Sequence, residues 1–195
     1  MPNYVTEELF ADYVRDHVGT ADLSVRSAAL LAAESTVNEY CQRTFAVASG
    51  TPSTRYYSPN GLDMSVVRIH DCVEVTTIVD DTATVAAADY QLEPRNAVSW
   101  TGEARPYEQV RRLNSYWTYS SGEALVAVTA DWGWTAVPDA IVEATKIIGR
   151  DILMQRNVTN GVAGFDGMGV VRVRMNAIAA DLLAPFRRVE AFGLG

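Results

Sequence analysis

The period of the apolar residues changes twice along this chain. From about Thr51 to Thr135 short runs rich in Val, Thr, Ile and aromatics take over, some alternating at every second position, and on either side apolar residues recur at helical spacing. A two-residue repeat turns one strand face inward, whereas a repeat of three and four residues turns one helical stripe inward, so the segments belong to different elements. Val73, Val75, Thr77 and Val79 alternate with Glu74, Thr76 and Ile78, and Val126, Val128, Ala130, Trp132 and Trp134 share a second strand face. Asn60-Gly61, Asp80-Asp81 and Ser120-Ser121-Gly122 punctuate these runs as turns. The fold class that follows is α+β, a helical body with an inserted antiparallel β domain. The boundaries read 1–50 for two N-terminal helices, 51–136 for the β domain, and 137–195 for a long helix, a glycine-rich loop and a C-terminal segment. The first and last parts form one helical body.

The helices carry their own signals. Thr6 caps a short amphipathic helix to Val18, with Glu7 and Glu8 at its positive end and Gly19 as its stop. The next, Leu23 to Arg43, has an apolar stripe of Ala29, Ala32, Ala33, Thr36, Val37, Tyr40 and Cys41, whose small residues invite close packing. Leu31 falls on its polar side with Ser27, Ser35 and Asn38, which makes it a candidate intersubunit contact. Pro138 opens the third helix, and Ile141, Ala144, Thr145, Ile148, Gly149, Ile152 and Leu153 form the longest core stripe in the chain. Gly149 lowers helix propensity by up to ~1 kcal/mol relative to Ala, so a close neighbour is expected there.

Composition excludes several kinds of chemistry. The net charge of -8 is unlike that of a protein that grips nucleic acid through phosphates. The charge is also uneven, with 18 Asp and Glu against 9 Arg up to Val137 and 6 against 7 basic residues from Pro138 onward. Two cysteines, Cys41 and Cys72, and two histidines, His17 and His70, are poor material for a metal site. His70-Asp71-Cys72 is their one cluster, and adjacent strand residues point to opposite faces. No metal or cofactor is expected. No run reaches the roughly 20 apolar residues of a membrane span, and the N-terminus lacks a basic leader, so a soluble cytosolic product is expected.

The C-terminal part begins with Gly161, Gly164, Gly167 and Gly169 between Asn157 and Gly169. This stretch lacks the Gly-Lys-Ser/Thr of a phosphate loop and reads as a flexible loop that orders on assembly. A strand-like Val171 to Met175 follows, then a short helix from Asn176 to Ala184 that Pro185 ends. Ile178, Leu182, Leu183 and Phe186 offer apolar anchors beside Arg172, Arg174, Arg187 and Arg188. Arginine next to an aromatic anchor is the pairing that interface centres favour.

In the order of its parts the whole chain resembles the head-to-tail connector (adaptor) proteins of long-tailed bacteriophages, especially those of actinobacteria. An Ala-rich helix ends in Glu39-Tyr40-Cys41-Gln42-Arg43-Thr44-Phe45, and a β region closes with Val126-Ala127-Val128-Thr129-Ala130-Asp131-Trp132-Gly133-Trp134. Val137-Pro138 leads a long helix to Gln155-Arg156, and a glycine loop and the Ile178 to Arg188 segment finish the chain. The smaller members of that group are mainly helical, so the long β insertion departs from the minimal pattern. The resemblance implies a non-enzymatic virion protein made in the host cytoplasm and built into the neck. About a dozen copies would form a ring beneath the portal protein, meet a stopper or tail protein below, and pass double-stranded DNA without reading it. Carried over by position, Arg172, Arg174, Leu182, Leu183, Phe186, Arg187 and Arg188 become portal-contact candidates, with the four glycines as a neighbouring assembly loop.

Two other classes compete. A stopper or tail-completion protein shares the acidic ring-forming profile, and a hydrolase needs paired carboxylates that folding would have to bring together. A cellular ligand-binding β module is a third reading, and an apolar cavity would favour it.

Overall fold

The computed structural model of the chain describes residues 4–18, 23–59, 61, 63–99, 102–121, 123–159 and 176–188. Its elements run α1 (Glu7–Val18), α2 (Leu23–Cys41), β1 (Ser53–Tyr57), β2 (Val66–Asp80), β3 (Ala83–Thr84), a 3-10 turn (Ala87–Asp89), β4 (Tyr90–Glu93), β5 (Tyr107–Arg112), β6 (Val126–Trp132), α3 (Asp139–Thr159), α4 (Ala177–Leu183) and a second 3-10 turn (Ala184–Phe186). The fold is α+β, in two compact units. One takes Met1–Phe45 and Val137–Arg188, and the other takes Ala46–Ala136. The helical unit thus ends at Phe45, a few residues before position 50, because Val47 already bridges to Trp134 inside the β unit.

In the helical unit α3 packs along α2, with α1 and α4 against it. Thr6 caps α1 as its position suggests, its Oγ1 accepting the Leu9 N–H at 3.3 Å. Phe10 and Val14 are the inward residues of α1. The Phe10 ring explains Gly149: a Cβ there would lie 3.0 Å from Phe10 Cε2 and Cζ. The close neighbour is an aromatic side chain. On α3, Ile141, Ala144, Thr145, Ile148 and Leu153 are buried, and Thr145 satisfies its hydroxyl by donating to the Ile141 carbonyl at 2.7 Å.

The buried line of α2 is Ala29, Leu30, Ala33, Glu34, Val37 and Cys41, while Ala32 is exposed. It is therefore rotated from the stripe that apolarity alone suggests. Glu34 belongs inside because Tyr4 N–H donates to its Oε1 at 2.7 Å, and an N–H donor offsets much of the cost of burying a carboxylate. Burial raises the Glu34 pKa above the usual carboxylate value, and the Tyr4 bond opposes that shift. Tyr4 then ties two more points together. Its hydroxyl donates to Asn38 Oδ1 at 2.6 Å and accepts the Phe45 N–H at 2.8 Å.

The β unit is one antiparallel sheet in the order β1-β6-β2-β5-β4, with β3 paired to the end of β2. Val67, Ile69, Val110, Val126, Val128 and Ala130 centre its core. Burying each valine there contributes about 1.5–3 kcal/mol over leaving it exposed. Simple alternation misplaces Ile78, which lies in the core at 1% exposure and not on the face opposite Val75. The pairing of β2 with β6 shifts register between Cys72 and Glu74 and again between Val75 and Thr77. Each bulge adds a residue and reverses the faces beyond it.

The chain leaves the sheet through a tight passage. Gly133 has φ +133, and a Cβ on it would meet Ala46 O at 2.5 Å and Ala48 N at 2.8 Å. That approach lets Trp134 N–H reach Ala46 O at 2.8 Å and Ala48 N–H reach Trp134 O at 2.9 Å.

Candidate functional site: assembly surfaces

The C-terminal segment is fastened at both ends. Asn176 Oδ1 accepts the Ile178 N–H at 3.0 Å and so caps α4, while its Nδ2 donates to Asp151 Oδ2 on α3 at 3.3 Å. Arg150 holds the same carboxylate at 3.0 Å. At the far end Arg188 N–H donates to the Cys41 carbonyl at 2.9 Å. Between these points Ala179, Leu183 and Phe186 turn inward. Phe186 meets Phe45 edge-on at 5.8 Å, and Phe45 meets Tyr4 the same way at 5.9 Å.

This arrangement corrects the sequence reading of two residues. Leu183 and Phe186 are core side chains of the helical unit and not an outward face, because the short helix needs them to hold itself on α2 and α3. Ile178 is 63% exposed, Leu182 is half-buried, Arg187 is exposed and Arg188 is partly buried. The Arg187 guanidinium lies over the Tyr40 ring, 5.8 Å from its centre. Arg172, Arg174, Gly161, Gly164, Gly167 and Gly169 lie outside the described residues. Leu31 is 45% exposed on α2.

The β unit presents aromatic surface that sequence reasoning missed. Trp117 is buried, donating its indole N–H to the Ser65 carbonyl at 2.9 Å, and Thr118 N–H reaches the Asp80 carboxylate at 3.1 Å. The loop is thereby pinned at its middle, and Tyr116 and Tyr119 project on either side as exposed rings. Tyr56 is exposed on the edge strand β1. The signal was present in Ser115-Tyr116-Trp117-Thr118-Tyr119-Ser120, but tyrosine suits a strand core and a surface equally well.

Beside that loop, Arg111 is neutralised twice. Its Nε donates to Glu93 Oε1 at 2.8 Å, and its Nη1 donates to Asp63 Oδ2 at 3.2 Å. The Ser65 hydroxyl and N–H, both on Asp63 Oδ1, and then Arg111 hold the Asp63 carboxyl below its ordinary pKa. Arg112 lies over the Trp117 ring, 5.3 Å from its centre.

The one titratable cluster of the sequence does not converge. His70 is exposed and shares a 2.8 Å hydrogen bond between its Nδ1 and the Tyr57 hydroxyl, with Trp132 alongside. Asp71 is buried against Trp134, and Cys72 is fully buried, its thiol pushed up to about 12 by loss of solvent. Among the described residues no group of three or more His, Cys, Asp and Glu is placed to hold a metal ion.

No protein-family model and no curated protein matches the chain. Its fold recurs among solved structures. A chain in the neck of an empty GTA particle, computed with C6 symmetry, matches with a TM-score of 0.53 at 17% identity, over 94% of this chain and 91% of that one. A chain in the virion of a native gene transfer agent (GTA) particle matches with a TM-score of 0.52 at 19% identity, over 96% of this chain and 91% of that one. At these identities the likeness is one of fold.

Proposed function

We propose that this chain is a structural neck subunit of a tailed-phage-like particle, a head-to-tail connector that joins copies of itself into a ring between portal and stopper or tail. The observation that carries this reading is the fold shared end to end with a chain from the neck of a GTA particle. A ring of identical subunits needs two complementary patches on each copy, related by a rotation that closes. Twelve copies are the number that the connector resemblance implies, and a twelvefold ring also obeys sixfold symmetry.

The charge suits a conduit. A chain of net charge -8 can present an acidic or neutral wall, which makes few phosphate contacts, so DNA slides past it where a basic wall would hold the duplex. The task is one of joining surfaces, and it assigns no catalytic residue and no cofactor. Ile178, Leu182, Arg187 and Arg188 form the proposed portal-docking face, and Arg172 and Arg174 are proposed as further portal contacts. The glycines from Gly161 to Gly169 form its neighbouring loop, and Leu31 is a contact between copies. The proposed location is the virion neck, after synthesis in the host cytoplasm. No described helix is long and apolar enough to cross a membrane.

Imaging the neck of purified particles, with this chain traced into density, tests the reading. Twelve copies seated directly on the portal are expected. A sixfold ring lower in the neck would make the chain a stopper or tail-completion subunit, and its absence from particles would refute both.

A further inference from the structure

Arg112 is the odd member of the arginine pair that ends β5. Arg111 has two carboxylates, whereas Arg112 Nε and Nη1 are both buried and have no hydrogen-bond acceptor among the described residues. Covering these two N–H groups forfeits their hydration, with the Trp117 ring beneath the guanidinium as the partial return. Arg112 also lines an open hollow of about 500 Å3, shared with Asp63, Ser65, Arg111 and Tyr116. Asp63 spends its hydrogen bonds on Arg111 and Ser65, and neither buried donor of Arg112 reaches it. Tyr116, at the lip, is 72% exposed on a loop whose centre Trp117 fixes. A cation with two unsatisfied N–H groups beside an exposed aromatic ring is the make-up of an interface anchor.

We propose that this hollow receives a carboxylate from a second copy of this chain, with Arg112 as its counter-charge and Tyr116 as its apolar cover. Charge complementarity selects the occupant. From Ala46 to Ala136 the chain has 11 Asp and Glu against 6 Arg, so a neighbouring copy offers surplus carboxylates and needs cations to meet them. Copies of net charge -8 repel one another at long range, and a closed ring of them needs local pairs of opposite sign where they touch. The guanidinium turns on its flexible stem to meet the incoming group, and its two covered N–H donors gain the acceptor they lack. The proposal rests on reading the chain as a ring subunit and names one contact within that ring.

The test is sedimentation velocity of the full chain over a concentration series at low and at physiological salt. Self-association is expected at both, and R112Q should weaken it by roughly thirtyfold or more. R15Q removes the same unit of charge from an exposed pair with Asp12 on α1 and should leave association unchanged. R112K keeps the cation but loses the planar fork, and an intermediate loss is expected of it. Circular dichroism establishes that each variant is folded, and should R112Q fail to fold, R112K and Y116A carry the comparison. A wild-type chain that stays monomeric throughout, folded Arg112 variants that associate like wild type, or an equal loss in R15Q would overturn the proposal. A neck ring left intact by R112Q would defeat this contact alone, whereas absence of the chain from particles would defeat the neck reading and leave the sedimentation result standing.

Discussion

Trp134 donates its indole N–H to Asp71 Oδ2 at 3.0 Å, and both side chains are nearly closed to solvent. The two meet twice, since the residue before Trp134, Gly133, gives its N–H to the Asp71 carbonyl at 2.8 Å. Asp71 therefore serves the architecture of the β unit, in keeping with the sequence expectation that His70, Asp71 and Cys72 do not face one way. A buried carboxylate deprived of a donor loses about 1–3 kcal/mol. W134F, which keeps the ring and removes the N–H, should destabilise the protein by about that amount, read as a lower midpoint in urea denaturation followed by circular dichroism.

Gly149 and Phe10 should be energetically coupled. Alanine at 149 gains up to ~1 kcal/mol of helix propensity, but its methyl group would press on a fully buried ring from 3.0 Å. G149A is expected to destabilise despite the propensity gain. F10L, which thins that ring, should make the added methyl tolerable. The double variant should be more stable than the sum of the two single losses, by about 0.5 kcal/mol or more in a double-mutant cycle.

The two thiols predict an alkaline limit. Burial raises Cys41 to about 11 and Cys72 to about 12, against 9.0 for an ordinary thiol. Above pH 9.0 the unfolded chain releases thiol protons that the folded chain retains, so the folded state loses stability as pH rises from there toward about 12. Denaturation midpoints across that range should fall, and the double Cys→Ala variant should lose the part of the slope that the thiols supply. At neutral pH both thiols should resist Ellman's reagent until the protein unfolds.

The proposed docking face separates folding from assembly. Ile178 and Arg187 are exposed and Arg187 gives up only its contact with the Tyr40 ring, so I178D with R187E should change stability by about 1 kcal/mol or less. The same double variant should fail to join the neck when supplied as the only copy of the chain, measured by its content in purified particles. Normal incorporation would remove these residues from the contact.

Much of the fold was legible because it depends on local period. The α+β order, the Pro138 helix start, the Thr6 cap and the α3 stripe all follow from neighbours a few residues apart. What escaped depends on distant partners. Glu34 has no place in the apolar stripe of the second helix, and Tyr4, thirty residues earlier, draws it inside by supplying an N–H. Ile78 changed faces through bulges that no alternation announces. Leu183 and Phe186 have the residue types of an interface anchor, and only the packing on Phe45 and Cys41 reveals them as interior. Leu31 and Arg187 were singled out by pattern and are exposed, while Tyr116 and Arg112 come into view only once Trp117 is seen to anchor the loop.

The strand-like bridge between Val47 and Trp134 brings the entrance and the exit of the β unit side by side, stitched by two backbone hydrogen bonds. A module whose two ends meet can be lengthened, shortened or exchanged as a cassette, because a host chain is asked to accommodate only a narrow doorway. Such a layout lets a lineage renew what this cassette displays without redrawing the helices that precede and follow it.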